Sequence, residues 1–105
     1  MFGKNGMNDM MGKLQEMQSK VEESKKRLES IYVKGESDDG KIRFVLDGNR
    51  KVKDVSIDES RLSDKLALEK DLERAFNAAI ENADHVNESE MKNTAMGMFP
   101  GMPGA

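Results

Sequence analysis

The fold of this chain is decided by residues 31–57, which read IYVKGESDDGKIRFVLDGNRKVKDVSI. Three segments rich in β-branched and aromatic residues, at 31–34, 41–47 and 50–57, are separated by Asp-Gly turn sequences. Asp-Gly between alternating apolar segments is typical of tight hairpin turns. The stretch therefore predicts three strands in an antiparallel meander.

The alternation within these strands predicts which side chains share a face. In the second segment, Ile42, Phe44 and Leu46 fall on one face, and Lys41, Arg43 and Val45 fall on the other. The third segment changes phase, because Val55 and Ile57 share parity with the lysines at 51 and 53 and not with the valine at 52. Either the ladder begins late, or a β-bulge lies near residues 53–54.

A long amphipathic helix is predicted before the strands, from Asn8 to Ser30. Its apolar positions step alternately by three and four residues, which is a heptad pattern with one polar member, Ser24. The pattern consists of Met7, Met10, Leu14, Met17, Val21, Ser24, Leu28 and Ile31. Four acid–base pairs at i,i+4 are expected to support the helix: Asp9/Lys13, Glu16/Lys20, Glu22/Lys26 and Glu23/Arg27.

A second helix is predicted after a connection at residues 58–63, with Ser60 or Ser63 as its N-cap. Its apolar face follows a 3.6-residue period and fades into polar residues after Asn87. That face comprises Leu68, Leu72, Ala75, Phe76, Ala79, Ile80, Ala83 and Val86. The Gly, Met and Pro residues at the C-terminus predict a disordered tail.

The charge is unevenly distributed along the 105 residues, whose formal net charge is −3. Residues 1–53 contain 12 basic and 9 acidic side chains, a net charge of +3, whereas residues 54–105 contain 5 and 11, a net charge of −6. Any contact with nucleic acid is therefore expected from the first half. With no cysteine, no apolar signal segment and no membrane-length apolar run, a cytoplasmic protein without membrane partners is expected.

The residues that carry enzyme chemistry form no recognisable pattern here. His85 stands alone, and no phosphate loop or metal-ligand spacing occurs. Of the nine methionines, those at 7, 10, 11 and 17 fit helix packing and those at 96, 98 and 102 fit the tail. We therefore expect no catalytic activity, no metal, no cofactor and no small-molecule substrate.

Several motifs, taken in order, resemble the YbaB/EbfC family of bacterial nucleoid-associated proteins across essentially the whole chain. These are the start at residues 1–4, the Met/Gln/Lys/Glu-rich helix at 10–29, VKGES at 33–37, Asp-Gly at 47–48, VSID at 55–58, AFNAA at 75–79 and the Gly-Met-Pro tail. A Pro usually follows the Ile-Asp in that family, whereas Glu59 follows it here. The first-helix pattern and the small core favour a homodimer with coiled-coil character.

The resemblance implies an α+β protomer of order α-β-β-β-α, which dimerises through its sheet and helices into a tweezer-like body. It also implies binding of double-stranded DNA with little sequence preference, coating or compaction of the nucleoid, and an influence on gene expression. The expected organisation is a flexible N-terminus at 1–6, the family-like domain at 7–94 and the disordered tail at 95–105.

Ten cations of the first half are the candidate DNA-binding residues, because phosphate contacts dominate affinity for duplex DNA. They are Lys13, Lys20, Lys25, Lys26, Arg27, Lys34, Arg43, Arg50, Lys51 and Lys53. Two simpler interpretations remain open. The helix cations can form a solvated, internally paired face, and the strand cations can protect sheet edges from aggregation. A heptad-bearing protein-interaction adaptor that does not bind DNA is the alternative function.

Overall fold

The structure, a computed structural model, describes residues 4–98. Two long helices flank a three-stranded sheet, and a single 3₁₀ turn at Glu59–Arg61 leads into the second helix. The elements are α1 (Lys4–Glu29), β1 (Tyr32–Glu36), β2 (Ile42–Asp47), β3 (Val52–Ile57) and α2 (Lys65–Met98). The predicted α-β-β-β-α order is confirmed. None of the helices within residues 4–98 is long and apolar enough to cross a membrane.

The sheet is the predicted antiparallel meander, with strand order β1-β2-β3. Ile42 and Leu46 are fully buried and Phe44 packs on the core, which confirms the predicted inner face of β2. Between β2 and β3 the register jumps, since Val45 pairs with Asp54 and Leu46 pairs with Val52. Lys53 is the extra residue of a bulge, and pairing resumes at Val52, so of the two predicted alternatives the bulge is confirmed.

The core lies where α2 crosses β1 and β2. Ala75, Ala79 and Ala83 are fully buried along one side of α2, where they pack toward the inner face of the sheet. Gly35 of β1 lies directly beneath the helix backbone, and a Cβ built there would stand 2.2 Å from the Ala75 carbonyl oxygen. The small residues on both elements allow this close approach.

The β2–β3 turn joins the sheet to both helices. The Gly48 backbone N–H donates to the Leu28 carbonyl at 2.9 Å, and the Asn49 side-chain amide donates to the Lys25 carbonyl at 3.0 Å. From the other side, the Asn87 side-chain amide donates to the Gly48 carbonyl at 3.1 Å. The turn therefore fixes the C-terminal end of α1 against the sheet and the middle of α2.

Helix boundaries differ from those predicted by the sequence. The first helix begins at Lys4 and not at Asn8, so the last residues of the segment 1–6 are helical. The second helix continues to Met98, into the segment 95–105. Residues 1–3 and 99–105, on which the remaining N-terminal and tail predictions fall, lie outside the described residues.

The N-cap of α2 is also different. The Asp64 carboxylate accepts the backbone N–H of Ala67 at 3.2 Å, and the Asp64 carbonyl accepts the backbone N–H of Leu68 at 2.9 Å. The prediction of Ser60 or Ser63 as the cap is therefore wrong. Both serines precede the helix and bond locally within the 3₁₀ turn.

Candidate nucleic-acid interface

The ten candidate cations lie on the surface of the protein. Nine of them are exposed, and Lys20 is half-buried where α1 approaches α2. Their exposure leaves the charged ends accessible to a large anionic partner such as a nucleic-acid backbone.

On α1, the seven-residue spacing places Lys13, Lys20 and Arg27 along one stripe of the helix. The C-terminal part of this stripe borders an open polar cleft of about 310 Å³ between α1 and α2. Glu23 lines the cleft from α1, and the opposite wall comes from the last turns of α2, including Glu90. Part of the predicted stripe therefore faces α2 and is not a free solvent face.

The β2–β3 turn contacts α1 at another of the helix cations, Lys25. The bond from Asn49 to the carbonyl of Lys25 places the turn against the last turns of α1. We call the exposed cations of the segments on either side of this contact the helix–turn patch, which consists of Lys25, Lys26, Arg50, Lys51 and Lys53. Sequence spacing had treated the helix and the hairpin cations as two separate groups.

Asp47 shapes the turn that carries two members of this patch, Arg50 and Lys51. Its side chain is fully buried, and its Oδ1 accepts the backbone N–H groups of Asn49 at 2.8 Å and Lys51 at 3.1 Å. The backbone of Arg50 is left-handed, with a φ of 69°. Such a conformation at a non-glycine residue is uncommon, and here the bonds to Asp47 on both sides hold it in place.

Lys34 and Arg43 lie on the face of the sheet away from α2. The register pairs Lys34 with Val45 and Arg43 with Glu36, which places all four on that open face. These two cations therefore lie on the sheet and not at the contact between α1 and the β2–β3 turn.

Four of the ten cations are paired with carboxylates. Arg27 Nε lies 2.6 Å from Glu90 Oε1, and Arg50 Nε lies 2.5 Å from Asp84 Oδ1. Lys34 and Lys53 make looser pairs at 3.7 Å, with Glu36 and Asp47 respectively. Among the described side chains, no carboxylate lies within 4.0 Å of the remaining six, which are Lys13, Lys20, Lys25, Lys26, Arg43 and Lys51.

The predicted i,i+4 pairs on α1 are not formed. Across residues 9–27 of the structure, none of the four acids predicted to pair with a cation one turn later lies within 4.0 Å of it. Arg27 instead reaches Glu90 on α2, and its Nη2 donates to Ser24 Oγ at 3.1 Å. The interpretation of the helix cations as an internally paired face is therefore wrong for these pairs.

Sequence reasoning missed four residues that organise this surface: Asn49, Asn87, Asp84 and Glu90. The two asparagines fix the turn, and the two acids pair with Arg27 and Arg50. Asn49 carried a local signal, because Asn after Asp-Gly favours a turn. The other three lie on α2 with no local sequence pattern that indicates their partners.

A second polar cluster, at the opposite end of the sheet, supports the fold. Arg61 Nε donates to Asp71 at 2.8 Å, and its other nitrogen bonds Asp39 in the β1–β2 turn. The hydrogen bond to Asp71 raises the pKa of the guanidinium further above its usual value, with Asp39 adding to the effect. This cluster ties the 3₁₀ turn, the first hairpin and α2 together.

The fold and these surfaces define a small α+β protein whose chemistry resides in exposed cations, with no group of three or more potential metal ligands among the described residues. The profile of the YbaB/EbfC DNA-binding family matches residues 3–98. The chain belongs to that family, as its motifs indicated.

Two relatives illustrate the similarity. A nucleoid-associated protein of Flavobacterium johnsoniae is 45% identical over 95 residues, which cover 90% of each chain. The crystal structure of an uncharacterized protein from Helicobacter pylori superposes with a TM-score of 0.64, at 24% identity, over 82% of this chain and 98% of that one. The similarity to the Flavobacterium johnsoniae protein supports the family, and the similarity to the Helicobacter pylori structure supports the fold.

Proposed function

We propose that this chain binds double-stranded DNA with little sequence preference, mainly through phosphate contacts from α1 and the β2–β3 turn. The observation that carries the proposal is the helix–turn patch, in which Lys25, Lys26 and Lys51 are exposed and have no carboxylate within 4.0 Å among the described residues. Exposed cations without a carboxylate partner are the groups that release counterions when they meet DNA. Membership of a DNA-binding family and the nucleoid-associated relative support the same conclusion.

We further propose that the DNA-bound form is a homodimer. One chain leaves the N-terminal half of the heptad stripe uncovered, with Met10 67% and Leu14 58% exposed. Beside Leu14 lies a mainly apolar groove, lined also by Met17 and Val21. The valines and the isoleucine of β3 are exposed as well, between 39% and 48%. Lys25 also lines this groove, so a second copy that covers the apolar side chains and leaves the Lys25 ammonium group accessible would double the number of phosphate contacts.

Light scattering tests the dimer, and the expected result is twice the monomer mass at micromolar concentration. Leu14→Asp should shift the equilibrium toward monomer, because a buried unpaired carboxylate is costly. Ser19→Asp, which adds the same charge at an exposed position off the heptad stripe, is the matched control. A parent protein that is monomeric at these concentrations would contradict the proposed dimer.

Fluorescence anisotropy with a labelled random-sequence duplex tests DNA binding. Affinity should fall steeply with salt, by about 0.9 log units per phosphate neutralised for each decade of salt. The double variant Lys25→Ala/Lys26→Ala should bind all duplexes more weakly and show a shallower slope. Lys65→Ala/Lys70→Ala, which removes two lysines from α2, is the control and should bind like the parent.

If Lys25→Ala/Lys26→Ala and Lys65→Ala/Lys70→Ala bind the duplex with equal affinity, the helix–turn patch is not part of the DNA-binding surface. A parent that does not bind duplex at low salt would instead favour the adaptor function, for which the exposed heptad stripe of α1 would be the docking surface. With DNA binding established, we expect the protein to lie in the cytoplasm on the nucleoid, where it coats or compacts DNA and influences gene expression.

A further inference from the structure

Two of the ten candidate cations are neutralised by acids that come from a distant part of the chain. Arg27 of α1 meets Glu90 of α2 at 2.6 Å, and Arg50 of the β2–β3 turn meets Asp84 of α2 at 2.5 Å. The partners are 63 and 34 residues apart, so the tertiary fold sets both pairs. These pairs are the only two contacts that join a candidate arginine of the described residues to a carboxylate.

Carboxylate and phosphate are alternative partners for the same guanidinium. Both present oxygens that accept hydrogen bonds from the planar fork of N–H groups, and arginine is preferred wherever such groups are recognised. Each of these arginines uses its Nε toward the carboxylate. The side chains of Arg27 and Arg50 are 54% and 42% exposed, so DNA phosphate can reach both guanidinium groups.

We propose that Glu90 and Asp84 are internal phosphate substitutes, which occupy Arg27 and Arg50 in the free protein and lower its affinity for DNA. The inference rests on the proposed DNA binding and deepens it. A neutral ion pair releases no counterion to DNA, so each arginine contributes only after a phosphate displaces its carboxylate. The Arg50–Asp84 pair, whose side chains are 42% and 41% exposed, is weak enough for that exchange, whereas Glu90 is only 16% exposed and should be displaced from Arg27 less readily.

The fold can release Arg27 without separating the helices. Beside the ion pair, the hydroxyls of Ser24 and Thr94 are hydrogen-bonded to each other across α1 and α2, and Ser24 is fully buried. The Thr94 hydroxyl also donates to the Glu90 backbone carbonyl at 3.0 Å, a bond that does not involve the Glu90 carboxylate. Helix contact and charge neutralisation are therefore carried by different atoms.

The first test is Glu90→Gln, which keeps an acceptor oxygen for Arg27 and removes the charge. We expect about five- to tenfold tighter binding to a random-sequence duplex at about 0.1 M salt, with a slope steeper by about 0.9. Asp84→Asn should act in the same direction through Arg50, and it provides an independent readout if Glu90→Gln lowers the melting temperature.

The matched control is Glu88→Gln, which removes one negative charge from an exposed position of the same helix. Among the described side chains no cation lies within 4.0 Å of Glu88, so its effect should stay below about twofold. In an Arg27→Gln background, Glu90→Gln should have no larger effect than Glu88→Gln. This comparison separates the specific pair from a general change in net charge.

Each outcome decides the matter. If the parent protein binds DNA and the variants Glu90→Gln and Asp84→Asn bind it equally well or more weakly, the inference is overturned. The proposed function is unaffected by that result. Parent protein that binds poorly while the two variants bind well supports both. If neither parent nor variants bind duplex at low salt, the inference and the proposed function both fail.

Discussion

The substitution Gly35→Ala tests the packing on which the whole fold depends. Gly35 lies in β1 beneath α2, and its added Cβ would stand 2.2 Å from both the Ala75 carbonyl oxygen and the Ala79 backbone nitrogen. The Ala79 Cα would be 2.7 Å away. All three atoms belong to helix backbone, so no change of rotamer can relieve the overlap.

The size of the effect follows from these distances. Ordinary van der Waals contact begins at 3.4 Å, and the two closest atoms, in Ala75 and Ala79, are 2.2 Å from the added Cβ. The backbone of α2 must therefore move about 1.2 Å away from β1 at this point. Overpacking a core costs typically about 1–3 kcal/mol and sometimes more. Because only backbone can move here, we expect a loss of at least about 3 kcal/mol in the free energy of unfolding. At about 4–8 °C per kcal/mol, the melting temperature should fall by about 12–24 °C.

Thermal unfolding followed by circular dichroism, with urea unfolding as a second measure, gives both quantities. The matched control is Gly12→Ala in α1, where a Cβ would meet nothing within 4 Å. That change should stabilise the protein by about 0.5–1 kcal/mol, because alanine is the better helix former. A Gly35→Ala protein that melts with the parent would refute the close approach of α2 to β1.

Two further predictions concern caps and acid stability. Asp64→Ala should cost about 1 kcal/mol through loss of the α2 N-cap, whereas Ser63→Ala should stay within about 0.5 kcal/mol of the parent in urea unfolding. The pKa of Asp39 lies below its usual 3.8, because the Lys41 backbone N–H and then the Ser37 hydroxyl donate to its carboxylate. A lowered pKa in the folded state adds stability above the unfolded pKa that is lost as pH falls through the folded one. Asp39→Asn should therefore flatten the fall in melting temperature below about pH 4, and an unchanged profile would contradict this role.

The sheet could be predicted in detail because its signals are local. Alternation identified the buried face of β2, and the change of phase in the third segment located the bulge that the structure places at Lys53. Successive side chains of a strand point to opposite faces of the sheet, so apolar residues at every second position share one face. A single break in this alternation therefore indicates one extra residue in the strand. No long-range information was needed for either result.

The helix ends could not be predicted so well, because their determinants lie elsewhere in the fold. The apolar face of α2 fades after Asn87, yet the helix continues to Met98. On the continued face, Asn87 bonds the β2–β3 turn, Glu90 pairs with Arg27, and Thr94 bonds Ser24. These polar side chains have partners on α1 and on the β2–β3 turn. They extend the contact surface of α2 beyond the point where its apolar residues stop.

The choice of partner for Arg27 shows most clearly why the site was only partly predictable. Glu23 lies one helical turn before Arg27, but the guanidinium bonds Glu90, whose side chain is only 16% exposed. A charge in a less hydrated setting interacts more strongly at the same distance, and Ser24 Oγ accepts a second N–H that orients the fork toward α2. Sequence therefore identifies the cations, while tertiary structure decides which of them are paired with a carboxylate in the free protein. If the proposed DNA binding holds, first encounter with phosphate falls to the unpaired cations, and Arg27 and Arg50 engage only as their carboxylates are displaced.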